Sequence, residues 1–459
     1  MTILPTTSDP HTWGLRNSHD PTIVRDGNVY VMTGTDAFAG GPAPAGGHLR
    51  TSTDLIHWDW AGTALDGVPH DAKAWSGAQG FWACELLEWP GSTAGTGSQP
   101  AWHLYYSAST FGSNTSAIGL ATAPSALGPW TDRGLIIKTK AGVNSQNAID
   151  AAVFFEQDGT AWLTYGSFFS GLYVLELDRE TGTPRTPGDL GTRIAARPRS
   201  VEGAIEGPYV VRRDESAGPS RFMLFTSFDS LIDAYDVRVA DSYTPQGPYL
   251  DRDKSAMISA TLDGSPLVTE PDSVGTLLLA GHSFPGQEPL IAPGHNSVFT
   301  DVDGSSFMVH HVRFGAAPAE HTAQIRRMFW LDSGWPVVSP CTFSGEPGDF
   351  SLELSDPDYA GAWQVVDFGW APDQIPLPDD RLAPCVPARR LSCSGDLTEL
   401  GVFEAATFTV LAPANYDGTG PLTPTLAFSG FGRRTVGDRQ LSVAVFGFKT
   451  PDLSVSVNE

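Results

Sequence analysis

Two stretches of this sequence repeat one layout: an acidic residue, a short hydrophobic run, an Asp-Gly turn and a second, aromatic-rich run. One starts at Asp20 and turns at Asp26-Gly27, and the other starts at Asp150 and turns at Asp158-Gly159. A third copy of the turn and the run after it occupies residues 301–311. An Asp-Gly pair between hydrophobic runs predicts a β-hairpin. Hairpins repeated over about 300 residues favour a β-propeller, in which small sheets surround a central axis.

Two more modules lie between these copies, which makes five in all. We count their starts at Asp20, Trp82, Asp150, Glu206 and His295. In a propeller the first strand of each sheet lines the axis, so residues far apart in the sequence are expected to meet there. The sequence thus predicts a five-bladed β-propeller over residues 1–345.

The remaining residues, 346–459, differ from the preceding part in their sequence pattern. Strand-like runs are expected at 362–368, 407–411, 426–428 and 441–446, without a cluster of catalytic side chains. A chain of 459 residues is too long for one ordinary core. With 49 Gly, 36 Pro and few helical periods, the composition favours an all-β chain. We predict a small C-terminal β-barrel or β-sandwich packed against the propeller.

The charge balance limits the partners of the chain. It carries 28 Lys and Arg against 52 Asp and Glu, a formal net charge of −24, which repels nucleic acid and anionic lipid but not a neutral ligand. There is no apolar run of transmembrane length, and the N-terminus lacks the features of a signal peptide. We therefore expect no nucleic-acid or membrane partner, and a protein that is cytoplasmic, or secreted if a leader has been removed. The four Cys form no CxxC pair, which argues against a zinc ribbon.

Asp20, Asp150 and Glu206 each stand near the start of a module. A single acid at such a place is as often a turn cap or an arginine partner as a functional group, but three at matching places favour a shared carboxylate site. Hydrolysis of a glycosidic bond needs two carboxyl groups in opposite protonation states: one protonates the leaving oxygen, and the other attacks the sugar or activates water. A third carboxylate nearby raises the pKa of the acid, because like charges at short range disfavour ionisation.

Ordered motifs across residues 14–346 carry a resemblance to a known family. They include SHDPTIV, NAIDAAVFFEQDG, GSFFSGLYVLELD, AIEGPYVV, PGHNSVF and GWPVVSP. The sequence resembles glycoside hydrolase family 43, and within it the endo-α-1,5-L-arabinanases. The start of the tail, AGAWQVVDFG, is similar to a small C-terminal barrel that some arabinanases carry. The resemblance implies a five-bladed propeller that hydrolyses α-1,5-linked L-arabinofuranosyl bonds, in arabinan or arabino-oligosaccharides, with inversion.

By motif position, the resemblance implies that Asp20 is the general base, Glu206 the general acid, and Asp150 the residue that tunes the pKa of the acid. His295 matches a histidine that binds a central metal ion, usually calcium, largely through water. One imidazole alone is a poor calcium ligand, because calcium prefers oxygen. Without the resemblance, a histidine at this place is more often a hydrogen-bonded core residue.

Several other residues are candidate contacts for a neutral sugar chain, because aromatic faces stack on sugar C–H surfaces and polar side chains bind hydroxyls. They are His19, Trp82, Ser167 and Phe168, and each can equally be plain packing. His310 and His311 are neighbours on a strand and must face opposite ways. We expect His311 to face the funnel and to contact substrate.

Three departures from the arabinanase pattern bear on how the substrate enters. Cys84 stands where the family has a proline, Gly207 follows Glu206 where it has an alanine, and the loop after Asp229 is short and lacks vicinal cysteines. Rim loops decide whether a chain runs through the cleft or only its end enters. The alternative is therefore an exo-acting α-L-arabinofuranosidase or β-xylosidase of the same family. A non-catalytic sugar-binding propeller is a third hypothesis, which the presence of all three acids disfavours.

Overall fold

The computed structural model shows an all-β chain in which small sheets follow one another along the sequence. It describes residues 7–38, 42–90, 102–215, 218–268, 274–346, 360–369, 373–377, 379–393, 397–415, 418–436 and 439–450. The first sheet contains β1 (His19–Asp26), β2 (Val29–Thr35), β3 (His48–Ser52) and β4 (Asp59–Thr63). The second contains β5 (Trp82–Glu88), β6 (Trp102–Ala108), β7 (Ser116–Ala123) and β8 (Thr131–Thr139). A short helix, α1 (His70–Ser76), connects these two sheets.

The next two sheets repeat this four-stranded antiparallel plan. The third contains β9 (Ala152–Phe155), β10 (Ala161–Tyr165), β11 (Leu172–Leu177) and β12 (Thr192–Ala195). The fourth contains β13 (Ile205–Arg213), β14 (Arg221–Phe228), β15 (Asp236–Ser242) and β16 (Thr276–Leu279). Short 3-10 helices span Pro10–Thr12, Arg199–Val201 and Leu397–Leu400.

The rest of the described chain forms a larger sheet and a separate C-terminal sheet. The strands are β17 (His282–Ser283), β18 (Leu290–Thr300), β19 (Ser306–Phe314), β20 (Ala317–Trp330), β21 (Pro336–Val338), β22 (Gly361–Asp367), β23 (Asp373–Pro376), β24 (Leu382–Pro387), β25 (Arg389–Cys393), β26 (Val402–Pro413), β27 (Leu422–Val436) and β28 (Arg439–Thr450). The fifth sheet has the order β21-β20-β19-β18-β17-β24-β23, and the sixth has the order β25-β22-β28-β27-β26.

The predicted hairpins form where the Asp-Gly pairs stand. β1 pairs with β2 across Asp26-Gly27, and β9 pairs with β10 across Asp158-Gly159. Gly27 and Gly159 have φ values of 60° and 85°, a left-handed conformation that glycine adopts without a Cβ clash. The strand-like runs predicted after residue 346 are also confirmed, as parts of β22, β26, β27 and β28.

Five strands, one from each of the first five sheets, meet one another. They are β1, β5, β9, β13 and β18, and we call them the first strands, although the two-residue β17 precedes β18 in the fifth sheet. β1 contacts β5 and β18, β9 contacts β5 and β13, and β13 contacts β18, so the contacts run in a cycle. In or directly before each first strand, a residue has a left-handed φ between 36° and 61°: Asp20, Ala83, Asp150, Gly207 and His295. β18 has a second such residue, Ala292, with a φ of 50°. In β1, β5, β13 and β18 the ladder register shifts at this place, as in a β-bulge. The same bend therefore recurs in each of the five sheets, around a common centre.

One detail of the sequence prediction is wrong by one residue. Asp20 and Asp150 occupy the left-handed position of their sheets, but in the fourth sheet that position is Gly207. Glu206 is the residue before it, and so corresponds to His19 and Trp82 in the other sheets. Since neighbouring residues on a strand point to opposite sides, the offset gives Glu206 a different approach to the centre from the two aspartates.

The C-terminal sheet packs against the fourth and fifth sheets. Phe329 of β20 stacks on Phe408 of β26 with ring centroids 4.1 Å apart, within one hydrophobic cluster shared by both parts. Arg252, between β15 and β16, forms an ion pair with Glu404 of β26. β24 pairs in parallel with β17, so a strand that follows residue 346 belongs to the fifth sheet. The division into residues 1–345 and 346–459 stays a prediction.

No helix within the described ranges is long and apolar enough to cross a membrane. Cys84, Cys341, Cys385 and Cys393 form no disulfide in the part of the chain that the structure describes, and the first, third and fourth are buried.

Candidate active site

The three acids predicted from the sequence are buried close to where the first strands contact one another. Asp20, Asp150 and Glu206 have 7%, 5% and 8% of their surface exposed, which is far less than ionisable side chains usually have. Asp20 and Asp150 line a small cavity of about 20 Å³, together with residues from the first strands of all five sheets. Such a volume accommodates about one water molecule.

Asp20 is surrounded by imidazole rings. His19 Nδ1 lies 2.7 Å from its Oδ2, and His295 Nδ1 lies 3.1 Å from its Oδ1. Thr35 donates a hydrogen bond of 2.5 Å to Oδ2. Burial alone would raise the pKa of Asp20, but the charge interaction with His19 and His295 outweighs it and holds that pKa well below its usual value. Asp20 is thus kept ionised, as a proton acceptor must be.

His311 supports Asp20 from the interior side. It is completely buried, and its Nδ1 accepts the backbone N–H of Asp20 at 3.3 Å. Burial lowers the pKa of His311 well below its usual value, so the ring is neutral. His19 stacks on it with ring centroids 3.8 Å apart, and His321 packs edge-on against His19 at 4.3 Å. His311 thus lies against Asp20 and His19, and its predicted contact with substrate stays a prediction, while His321 was not predicted.

Asp150 has the opposite electrostatic environment. Burial, followed by the charges of Glu206 and Asp20, raises its pKa well above the usual value. The backbone N–H of Gly207 donates to Asp150 Oδ2 at 3.3 Å and opposes this shift only in part. The backbone N–H of Asp150 donates to the Ser107 hydroxyl at 2.9 Å, and this hydrogen bond anchors the bend to the second sheet. Two aspartates in equivalent bends therefore differ in proton affinity because of their neighbours.

Glu206 is held by two hydroxyl groups. Ser167 donates to Oε2 at 2.7 Å, and Tyr235 donates to Oε1 at 2.8 Å. Ser167, predicted as a sugar contact, thus binds the carboxyl group of Glu206. Tyr235 was missed, because it lies on the loop before β15 and no motif marks it.

The aromatic candidates lie nearer the rim. Trp82 and Phe168 are partly exposed, and Trp82 meets the strongly exposed Phe111 edge to face at 6.1 Å. Phe168 has a φ of 52°, and its N–H donates to the backbone oxygen of Ile205, next to Glu206. These rings present apolar surface beside the buried acids.

Two groups of side chains are relevant to metal binding. Donor atoms of His19, Asp20 and His311 all lie within 4.8 Å of one another. The two imidazole planes are stacked at 17°, however, and one ion cannot lie in both ring planes as imidazole ligands require. His295 instead lines the cavity beside Asn296. Among the described residues, both amide atoms of Asn296 are buried without a hydrogen-bond partner, so its oxygen is available as a ligand.

Comparison with known proteins identifies the family. The profile of Glycosyl hydrolases family 43 matches residues 15–336, well over half of the chain. The chain belongs to this family. It is therefore a glycoside hydrolase, and the buried carboxyl groups lie within the matched region.

Individual relatives are similar over most of their length. An extracellular endo-α-(1→5)-L-arabinanase of Thermotoga petrophila is 28% identical over 387 residues, which is 76% of this chain and 76% of the relative. An extracellular exo-α-(1→5)-L-arabinofuranosidase, ArbA of Cellvibrio japonicus, is 28% identical and covers 70% and 86% of the two chains. The crystal structure of a Thermotoga petrophila endo-1,5-α-L-arabinanase superposes with a TM-score of 0.67 and 24% identity, covering 97% of this chain and 100% of that one. This last likeness shows a shared fold.

Proposed function

We propose that this hydrolase cleaves α-1,5-linked L-arabinofuranosyl bonds, in arabinan or arabino-oligosaccharides, with inversion of the anomeric carbon. The geometry carries the chemical part of the proposal: Asp20 and Asp150 line one buried cavity, imidazoles lie against Asp20, and two hydroxyl groups hold the buried Glu206. The substrate class is supported by the relatives, which are named as enzymes that act on α-(1→5)-L-arabinose linkages.

The proposed reaction uses each acid once. Ionised Asp20 takes a proton from a water molecule as the water oxygen bonds to the anomeric carbon. Protonated Glu206 gives its proton to the glycosidic oxygen, which leaves with the electron pair of the broken C–O bond. Asp150 interacts with Glu206 through charge, so each of the two carboxyl groups disfavours ionisation of the other and the pair keeps a proton for the leaving oxygen. An inverting pair is expected to stand roughly 6.5–9.5 Å apart, with room for the water.

We also propose that the sheets form a five-bladed propeller followed by a small C-terminal domain. The cycle of contacts among five first strands, and the bend that recurs in each, support a five-bladed propeller with the acids at its axis. The residues after 346 would then form a small C-terminal β domain on the side of the fourth and fifth sheets.

We propose that the sugar is bound by partly exposed aromatic rings and by polar side chains close to the acids. Trp82 and Phe168 would stack on furanose rings, since both are partly exposed beside the acids. His19 would contact a hydroxyl, while Ser167 would act through Glu206. His311 is fully buried, so a direct substrate contact by it would need movement of His19, which covers it.

A calcium ion at the axis is the remaining part of the proposal. His295 and Asn296 are the residues that would hold it, and the free amide oxygen of Asn296 suits an ion that prefers oxygen. A bound calcium ion supplies positive charge next to the carboxylates. If it binds, Asn296→Ala should abolish the rise in melting temperature that calcium gives to chelator-treated protein. An identical calcium response in the variant would remove Asn296 from the site.

The mode of attack has two candidates. The endo mode follows the first relative, and the exo mode follows ArbA, which is equally identical in sequence. Chromatography of the products from linear arabinan separates them: a ladder of oligosaccharides indicates endo cleavage, and monosaccharide or one short oligosaccharide from the first time point indicates exo cleavage.

The decisive experiment removes the base and the acid separately. Asp20→Asn and Glu206→Gln should each lower kcat on linear arabinan by about 10²–10⁴-fold, without a change in circular dichroism. Asp158→Asn, at an exposed hairpin turn, is the matched control and should keep full activity. Proton NMR of early products should show the β-anomer first. Full activity of either variant would refute its role, and binding of arabinan without any turnover by the wild type would favour a sugar-binding protein.

A further inference from the structure

Tyr235 lies outside the site predicted from the sequence and contacts a catalytic candidate directly. Its side chain is 1% exposed, and its hydroxyl lies 2.8 Å from Glu206 Oε1. With Ser167 on Oε2, each oxygen of Glu206 carries one hydroxyl donor. A carboxyl group held at both oxygens has little freedom to rotate, so its orientation is set by these two residues.

The ring of Tyr235 is itself fixed by its surroundings. It lies parallel to His311, with ring centroids 5.6 Å apart and 19° between the planes. The ring also packs against the backbone of Gly294. A Cβ at that position would come within 2.0 Å of Tyr235 Cδ1, so only glycine leaves room for the ring. His311 in turn accepts the N–H of Asp20. One packed chain of contacts therefore runs from Glu206 through Tyr235 and His311 to Asp20.

We propose that Tyr235 is a positioning residue for acid catalysis: it orients Glu206 and stabilises the carboxylate that forms as the leaving oxygen takes the proton. This inference rests on the proposed function. As Glu206 loses its proton, the hydrogen bond from Tyr235 changes from neutral to charge-assisted, and such bonds are about twice as strong. An interaction that strengthens during the reaction lowers the barrier rather than the ground state.

The phenol is suited to donate without losing its proton. Burial, and then the charges of Glu206, Asp20 and Asp150, raise the pKa of Tyr235 well above its usual value. The proton therefore stays on Tyr235 throughout, and the proton that reaches the sugar comes from Glu206.

The test is Tyr235→Phe, which keeps the ring, its packing on His311 and its contact with Gly294 but removes the hydroxyl. We expect kcat on arabino-oligosaccharides to fall by roughly 10–100-fold, with KM within about twofold, because one hydrogen bond to a charged group is lost. The basic limb of the kcat/KM profile should move to higher pH, since the ionised acid loses a donor. Tyr249→Phe is the matched control: Tyr249 is equally buried and donates to the backbone oxygen of Pro245 at 3.0 Å.

A second measurement separates acid catalysis from stability. On aryl arabinobiosides, the loss in Tyr235→Phe should shrink as the leaving group becomes more acidic, because a good leaving group needs no proton. An equal loss on all leaving groups, an unshifted pH profile, or the same loss in Tyr249→Phe would overturn the proposal. Failure of the proposed function looks different: in that case Glu206→Gln itself would be active on arabinan, whatever Tyr235→Phe does.

Discussion

At the scale of single residues, the centre of the molecule shows how neighbours alone set proton affinity. Asp20 and Asp150 share the same left-handed bend and the same degree of burial. Imidazoles surround the first, and carboxylates surround the second, and their pKa values move in opposite directions. A third acid in the same cavity, Glu85, has neither kind of partner. Burial raises its pKa to about 8, although the Thr22 hydroxyl and the Val153 N–H oppose the shift.

Glu85 gives a pH prediction with a definite sign. Between pH 4.5 and pH 8 the folded protein keeps a proton on Glu85 that the unfolded chain releases. The stabilisation is therefore complete below pH 4.5 and is lost as the pH rises through about 8. In Glu85→Gln this slope is absent, so its stability relative to wild type should rise by roughly 2–5 kcal/mol from pH 5 to pH 8. Urea unfolding at both pH values measures this.

The control for that experiment is Glu88→Gln, at the exposed end of the same strand, which should change stability equally at both pH values. A constant difference between Glu85→Gln and wild type across this range would show that Glu85 is ionised in the fold.

At the scale of elements, the connection from β2 to β3 is tied to the second sheet by one carboxylate. Asp36 Oδ2 accepts the N–H groups of Gly46 and Phe81, and Oδ1 accepts those of Gly47 and His48, at 2.7–3.1 Å. In Asp36→Asn, whichever way the amide points, its NH₂ faces two N–H donors. We expect a loss of about 2–4 kcal/mol in the free energy of unfolding and faster hydrogen exchange at residues 46–48. Asp158→Asn, with one exposed hydrogen bond, should cost less than about 1 kcal/mol. Unchanged exchange at residues 46–48 would contradict this role.

The strands and turns show which structural features could be predicted from the sequence and which could not. The Asp-Gly hairpins and the alternating strands were predictable, because turn chemistry and period-two patterning are local signals. The one-residue offset of Glu206 was not, because a bulge depends on the pairing of two distant strands. Tyr235 and His321 were missed for a related reason: each reaches the acids from a neighbouring part of the fold, and nothing near them in the sequence indicates that contact.

At the scale of the whole molecule, the C-terminal sheet and the sheets that carry the site share one hydrophobic cluster. We therefore expect one cooperative thermal transition, with arabinan hydrolysis lost at the same temperature. Phe408→Ala removes the ring that stacks on Phe329 and should cost about 3–5 kcal/mol, while lowering the whole transition. Leu422→Ala, exposed on the same sheet, should leave it within about 1 kcal/mol. Calorimetry showing two separate transitions in the wild type would contradict this coupling.

The left-handed bend associated with each first strand has the same backbone conformation but carries different side chains. Four of the five positions bear a carboxylate, an imidazole or a bare glycine, whereas Ala83 bears only a methyl group in the same conformation. An aspartate or histidine introduced there would enter the cavity on a backbone that already accepts those residues elsewhere. Ala83 is thus the place at which a new ligand or proton donor could be engineered without redesigning the scaffold.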